Sequence, residues 1–170
     1  MFNIIHVIII IVIGMKKRNI ILTILFLLLD IISKLLIDRY IVLDKSIKII
    51  NIFFYITKVY NEGASWSILW GMRIILIIIS VIVLGILFIY QKKFVDNKRN
   101  TLAFSLLYAG IIGNLLNRVI YGYVIDFIDF KILSYDYPVF NIADICIVFG
   151  ILLLIIAIIK KEDENETSSR

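Results

Sequence analysis

The chain has one cysteine (Cys146), one histidine (His6) and one proline (Pro138) in 170 residues. A single cysteine makes no disulfide within the chain, and one cysteine with one histidine cannot furnish a Cys/His metal site. Hydrolytic chemistry therefore falls to carboxylates, hydroxyls or lysines. Glycine is sparse, with 8 residues. No Pro- or Ser-rich linker and no internal repeat divides the chain, so one domain is expected.

What is abundant is apolar surface. The chain is 62% hydrophobic with a mean hydropathy of +1.02, far above an ordinary soluble domain, which makes it a membrane protein. A formal net charge of +5 raises the question of nucleic acid, but the basic residues flank apolar runs as membrane topology requires, and nucleic acid is not an expected partner. Four runs, at about 20–37, 74–90, 101–120 and 142–159, are long enough to cross hydrocarbon as helices. Lys16, Lys17, Arg18, Lys92, Lys93, Lys98, Arg99, Lys160 and Lys161 all fall on one side of those runs. By the positive-inside rule that side is cytoplasmic, both termini included.

The segment 38–73 is too polar to span and is rich in β-branched and aromatic residues, as in IKIINIFFYITKVYN. It reads as one or two strands outside the bilayer, ending in a turn at Asn61-Glu62-Gly63. Tyr60, Trp66 and Trp70 suit the membrane interface. Residues 122–140 read as a second outer loop. The expected fold is an all-α membrane protein of the bacterial cell membrane, with four transmembrane helices and a small extracytoplasmic β-rich subdomain. Residues 1–14 form an apolar run too short to span and read as an extension ahead of a better membrane start at Met15. Residues 162–170, EDENETSSR, read as a disordered cytoplasmic tail.

Charge inside or beside hydrocarbon is costly and marks candidate function. Asp30 and Lys34 stand one helical turn apart in the first run and can pair; the alternative is Lys34 snorkelling to the interface. Asp126 and Asp144 lie at the edges of apolar segments. If they converge they can share one proton, and the pair then supplies both an acid and a base. Asp129 and Asp136 read as solvated loop charges. Gly110 and Gly113 allow close approach of a neighbouring helix or lipid. Asn114 and Arg118 share a helix face, and Asn141 can cap the fourth helix with Asp144 at its N3 position. Cys146 reads as a small buried hydrophobe.

Three ordered blocks, AGIIGNLLNR at 109–118, GYVIDFID at 122–129 and FNIAD at 140–144, follow an upstream YNEGASW at 60–66. In these blocks, and over about 15–161, the sequence resembles the bacterial lipoprotein signal peptidases, or type II signal peptidases. The resemblance implies a membrane aspartic endopeptidase that needs neither cofactor nor metal. Its substrates would be diacylglyceryl-modified prolipoproteins, cut just before the lipidated cysteine, and it would work as a monomer among membrane lipids. The implied catalytic pair is Asp126 and Asp144. Asn61, Gly63, Asn114, Arg118 and Asn141 are implied substrate contacts, and Asp30, Lys34, Gly110, Gly113, Asn117 and Ala143 supporting residues. One departure stands out: Asn117 occupies a position where the family usually has Asp, which puts the orientation of Arg118 in question. Two other readings remain, a carrier or proton-relay protein using Asp30, Lys34, Asp126 and Asp144, and a family member that binds signal peptides without cutting them.

Overall fold

The structure, a computed structural model, describes residues 17–63, 71–132 and 135–163, and ahead of these residues 6, 9, 10, 12, 14 and 15. Lys16, Trp66, Trp70, the side chain of Asp136 and residues 164–170 lie outside the described residues. Four helices are long and apolar enough to cross a membrane: α1 (Lys17–Tyr40), α2 (Arg73–Tyr90, continued by a 3-10 turn at Gln91–Lys93), α3 (Lys98–Ile120) and α4 (Ile142–Ile159). The first three begin or end a few residues outside the apolar runs, because helical hydrogen bonding continues past the hydrocarbon edge wherever the ends find partners. Asn97 provides one such partner, its side chain accepting the backbone N–H of Asn100 at the start of α3.

Helix α3 is central, and its composition explains why. It carries Asn100, Thr101, Ser105, Asn114 and Asn117, all buried. Amides and hydroxyls facing lipid would be unsatisfied, so the most polar helix is the one the others surround. Of its spanning window 78% is buried, against 17–22% for the other three helices, whose isoleucines and leucines face outward. Helices α1, α2 and α4 each pack against α3. The α1 contact is stitched by polar groups, with Thr23 donating to the carbonyl of Ser105 and the Ser105 hydroxyl to that of Asn19. On the α4 side small residues set the spacing. A Cβ at Gly110 would collide with the carbonyl oxygen of Ala143, and one at Gly150 would lie 2.7 Å from the Leu107 side chain.

At one end of the bundle sits an antiparallel sheet of β1 (Ser46–Ile50), β2 (Phe54–Asn61) and β3 (Val124–Ile132), with a two-residue β4 (Tyr135–Asp136) on the outer edge of β3. The 38–73 segment thus supplies two strands, as its composition indicates. Residues 122–140 are not a loop: nine of them form β3, paired with β2 from Asn61↔Val124 to Phe54↔Phe130. Gly122, at φ +97, makes the turn from α3 into β3 in a conformation that a side chain would strain. The sheet is fastened to the bundle by Lys58, whose ammonium pairs with Asp38 at 2.7 Å, and by the Tyr60 hydroxyl, which donates to the same carboxylate at 2.8 Å.

The basic residues that flank the apolar runs, Lys17, Arg18, Lys92, Lys93, Lys98, Arg99, Lys160 and Lys161, gather at the opposite end. Arg18 meets Asp96 at 2.8 Å and also donates to Thr101. Glu162, the first residue of the presumed tail, is part of the folded body: it pairs with Arg99 and accepts from Asn97 at 2.8 Å and from Asn100 at 3.1 Å.

Candidate active site

Between the sheet and the sheet-side ends of α3 and α4 lies a cleft of about 1200 Å³. Strand periodicity decides what β3 contributes. Alternate residues point to opposite faces, and Val124, Asp126, Ile128 and Phe130 line the cleft. Asp129 stands on the other parity, and its carboxylate accepts the Thr57 hydroxyl at 2.6 Å. It is only 7% exposed, so it is a buried sheet residue rather than a solvated loop charge.

Asp126 and Asp144 both line this cleft, one from the sheet and one from the first turn of α4. Asn141 stands between them. Its side-chain N–H donates to Oδ1 of Asp126 at 2.5 Å, and its backbone N–H donates to Oδ2 of Asp144 at 3.1 Å. The second bond is half of a capping box, completed by the Asp144 N–H donating to the Asn141 Oδ1 at 3.0 Å. The same motif that starts the helix therefore fixes one carboxylate and touches the other. The remaining oxygens are also engaged: Asn61 Nδ2 reaches Asp126 Oδ2 at 2.9 Å, and Asn114 Nδ2 reaches Asp144 Oδ1 at 2.8 Å.

Burial, followed by the neighbouring charge of Asp144, pushes the Asp126 carboxyl up to about 7. The N–H bonds from Asn61 and Asn141 and the charge of Lys34 oppose that rise without cancelling it.

The other residues singled out in the sequence fall around this pair. Gly63 donates its N–H to the Asn61 Oδ1, which turns the Asn61 amino group toward Asp126. Arg118 donates to the Gly63 carbonyl at 3.0 Å and lies 3.5 Å from the Asn114 carbonyl, so its orientation comes from the backbone rather than from residue 117. Asn117 instead accepts the backbone N–H of Ile125 at 3.2 Å, anchoring β3 one residue before Asp126. An amide oxygen serves that purpose as well as a carboxylate. Asp30 and Lys34 pair at 2.8 Å and are buried, so Lys34 does not snorkel. The Ala143 N–H donates to Asp30, and a Cβ at Gly113 would lie 2.5 Å from the same carboxylate. Both glycines therefore admit a neighbour within the protein rather than lipid.

Sequence reasoning missed the aromatic wall of the cleft, Phe54, Phe130, Tyr137 and Phe140. Of these four, Phe130 lies in VIDFIDF, a segment without apolar–polar alternation, and its place on the Asp126 face follows from strand parity once β3 is paired.

Fold and cleft together define a multi-pass membrane protein with two aspartates held at one mouth of its helical bundle. Comparison with known proteins carries this further. A family model described as Signal peptidase (SPase) II matches residues 22–160, and the chain belongs to that family. It is 42% identical over 138 residues to the lipoprotein signal peptidase of Staphylococcus carnosus (strain TM300), covering 81% of this chain and 87% of the relative. It is 39% identical over 142 residues to that of Halothermothrix orenii, covering 84% and 95%. Among solved structures, a bacterial membrane enzyme determined by the in meso method at 2.3 Å resolution superposes with a TM-score of 0.76 at 35% identity, covering 89% of this chain and 94% of that one.

Proposed function

We propose that this protein is a membrane aspartic endopeptidase that removes the signal peptide from diacylglyceryl-modified bacterial prolipoproteins, cutting before the lipidated cysteine, with Asp126 and Asp144 as its catalytic pair. Membership of the signal peptidase II family supports the reaction. The observation that carries the assignment of the pair is the bridge made by Asn141, which holds both carboxylates at one cleft.

The two aspartates differ in ways that divide the work. Asp126, with its carboxyl raised to about 7, holds a proton near neutral pH. Both carboxylates accept an N–H on each oxygen, but Asp144 is only half-buried and sits in the first turn of α4, where the helix N-terminus favours negative charge, and it serves as the base. Water attacks the scissile carbonyl carbon and gives a proton to Asp144, while the proton of Asp126 passes to the carbonyl oxygen. The resulting gem-diol collapses: Asp144 returns its proton to the leaving amide nitrogen as the C–N bond breaks, and a hydroxyl proton goes back to Asp126. Each carboxyl ends in the state in which it began. Arg118 and Asn61 line the same cleft, where Arg118 meets a substrate backbone carbonyl and Asn61 keeps Asp126 aimed.

The chain is read as a monomer in the cell membrane, with the basic end in the cytoplasm, the cleft toward the outer side, and the substrate's acyl chains remaining in lipid. A proton relay would need titratable groups through the membrane depth. Between Arg18 and Asp30, however, the buried polar residues of α1 are Asn19 and Thr23. Incubation with a diacylglyceryl-modified prolipoprotein, read by gel mobility, tests the proposal. Release of the signal peptide is expected from the parent chain, and its absence from folded protein would overturn the reading.

A further inference from the structure

A buried ammonium separated from the aspartate pair by one residue, Asn114, is not used in the reaction as written. Lys34 is 1% exposed and donates to two acceptors, Asp30 Oδ2 at 2.8 Å and Asn114 Oδ1 at 3.0 Å. The second contact has a directional consequence. An asparagine amide offers an acceptor on one side and donors on the other, and the two orientations have nearly the same shape. Lys34 has only donors, so the Asn114 oxygen must face it; Asn141 Nδ2 donates to that oxygen as well, at 3.2 Å. The Asn114 amino group is thereby left facing Asp144 Oδ1 at 2.8 Å.

We infer that Lys34 is a positioning residue for the reaction: by fixing which way round the Asn114 amide sits, it keeps an N–H rather than a carbonyl oxygen against Asp144 and so holds Asp144 as the base. This inference rests on Asp126 and Asp144 being the catalytic pair. With the amide reversed, its oxygen would face the carboxylate and be tolerated only if Asp144 carried the proton, which exchanges the acid and base of the pair. Asp30 makes the arrangement sustainable in a buried site. It neutralises Lys34, and it is itself held by the Ala143 N–H at 2.9 Å, beside the residue it helps to control. The glycine at 113 leaves room for that carboxylate. The chain Asp30, Lys34, Asn114, Asp144 thus starts and ends at the first turn of α4. The charged and titratable groups that act on Lys34 or the pair are Asp30 on α1, Arg118 on α3, Asp126 on β3, and Asp144 and Cys146 on α4.

The experiment is cleavage kinetics of a diacylglyceryl-modified prolipoprotein by full-length Lys34→Met, Asn114→Leu and their double variant, with pH profiles and thermal unfolding of each. Lys34→Met is expected to lower kcat on the order of 10²-fold with KM near the parental value, the size associated with misplacing a catalytic group. Its pH profile should move upward by about one unit, since an N–H donor and a positive charge leave the carboxyl pair together. Added to Asn114→Leu, Lys34→Met should cost little more, because the first substitution has already removed the amide through which Lys34 acts. An unchanged pH profile together with additive losses would overturn the inference and leave Lys34 a purely structural residue. If Lys34→Met fails to fold, the neutral pair Asp30→Asn with Lys34→Met carries the same two readouts. Cleavage by Asp126→Asn or Asp144→Asn at the parental rate would instead remove the underlying assignment of the pair, a result separate from either outcome above.

Discussion

At the scale of single residues, the two aspartates make the sharpest demands. Asp126→Asn and Asp144→Asn each remove one of two roles that no neighbour supplies, and both should lose nearly all cleavage while still inserting. The double variant should be little worse than either single one, because residues that act as a unit are not additive. Gel mobility of a lipidated precursor reads all three. The pH dependence follows from Asp126 alone. Its carboxyl must be protonated to act as the acid, and it titrates at about 7, so activity should decline as pH rises through that value.

Stability has its own sign. The folded carboxyl titrates at about 7 and the unfolded one near 3.8, so between those values unfolding releases a proton and is favoured by rising pH. The resulting cost is absent below the lower value, grows as pH rises toward 7, and is constant above it. Thermal unfolding in detergent should therefore show the parent losing ground to Asp126→Asn between pH 4 and pH 7 (a window set by those two values). Parallel curves for the two proteins would contradict it.

Asn117 is the residue at which sequence and structure differ most usefully. Read in the family's block it casts doubt on Arg118, yet Arg118 takes its bearings from Gly63 and Asn114, and Asn117 holds the Ile125 N–H. Asn117→Asp keeps an acceptor there and should retain activity. Asn117→Ala leaves a buried N–H without its partner, at roughly 1–3 kcal/mol, and loosens the strand that carries Asp126. Comparing kcat for the two variants separates an acceptor requirement from a charge requirement.

At the scale of elements, the α3–α4 contact sets the spacing of the site. Gly110 faces the Ala143 carbonyl, one residue before Asp144. Gly110→Ala must move α4 by tenths of an ångström or more, with overpacking typically costing about 1–3 kcal/mol. A lowered unfolding temperature accompanied by a fall in kcat is expected. The capping box offers a second test at this level. Asn141→Ala removes a cap, at about 1 kcal/mol, and also the bridge between the carboxylates. Its loss of activity should therefore be far larger than its loss of stability.

At the scale of the whole molecule, the segregation of charge predicts topology. Single cysteines at Lys98 and at Lys48, with Cys146 replaced, mark the basic end and the sheet. A membrane-impermeant thiol reagent applied to intact cells should label position 48 and not position 98; the reverse pattern would invert the orientation. The polar clasp of Arg18, Asp96, Arg99 and Glu162 at the basic end gives that end its own tertiary structure.

Much of this protein is determined locally, and that part could be read directly. Four apolar runs, their basic flanks, the Asp30/Lys34 spacing and the Asn141/Asp144 cap follow from length, charge and helical period, which act within a few residues. Strand structure in 38–73 was legible for the same reason, from β-branched and aromatic composition, although whether it made one strand or two was settled by the fold. What only the tertiary structure decided is pairing across distance. The segment holding Asp126 and Asp129 is short and apolar, with no helix or hairpin signal of its own. Its strand character comes from hydrogen bonding to β2, more than sixty residues earlier in the chain, at pairs such as Val59↔Asp126. That pairing assigned one aspartate to the cleft and the other to Thr57. The orientation of the Asn114 amide was likewise invisible in the sequence, because it depends on Lys34, Asn141 and Asp144 arriving together from two other helices and the residue that caps one of them.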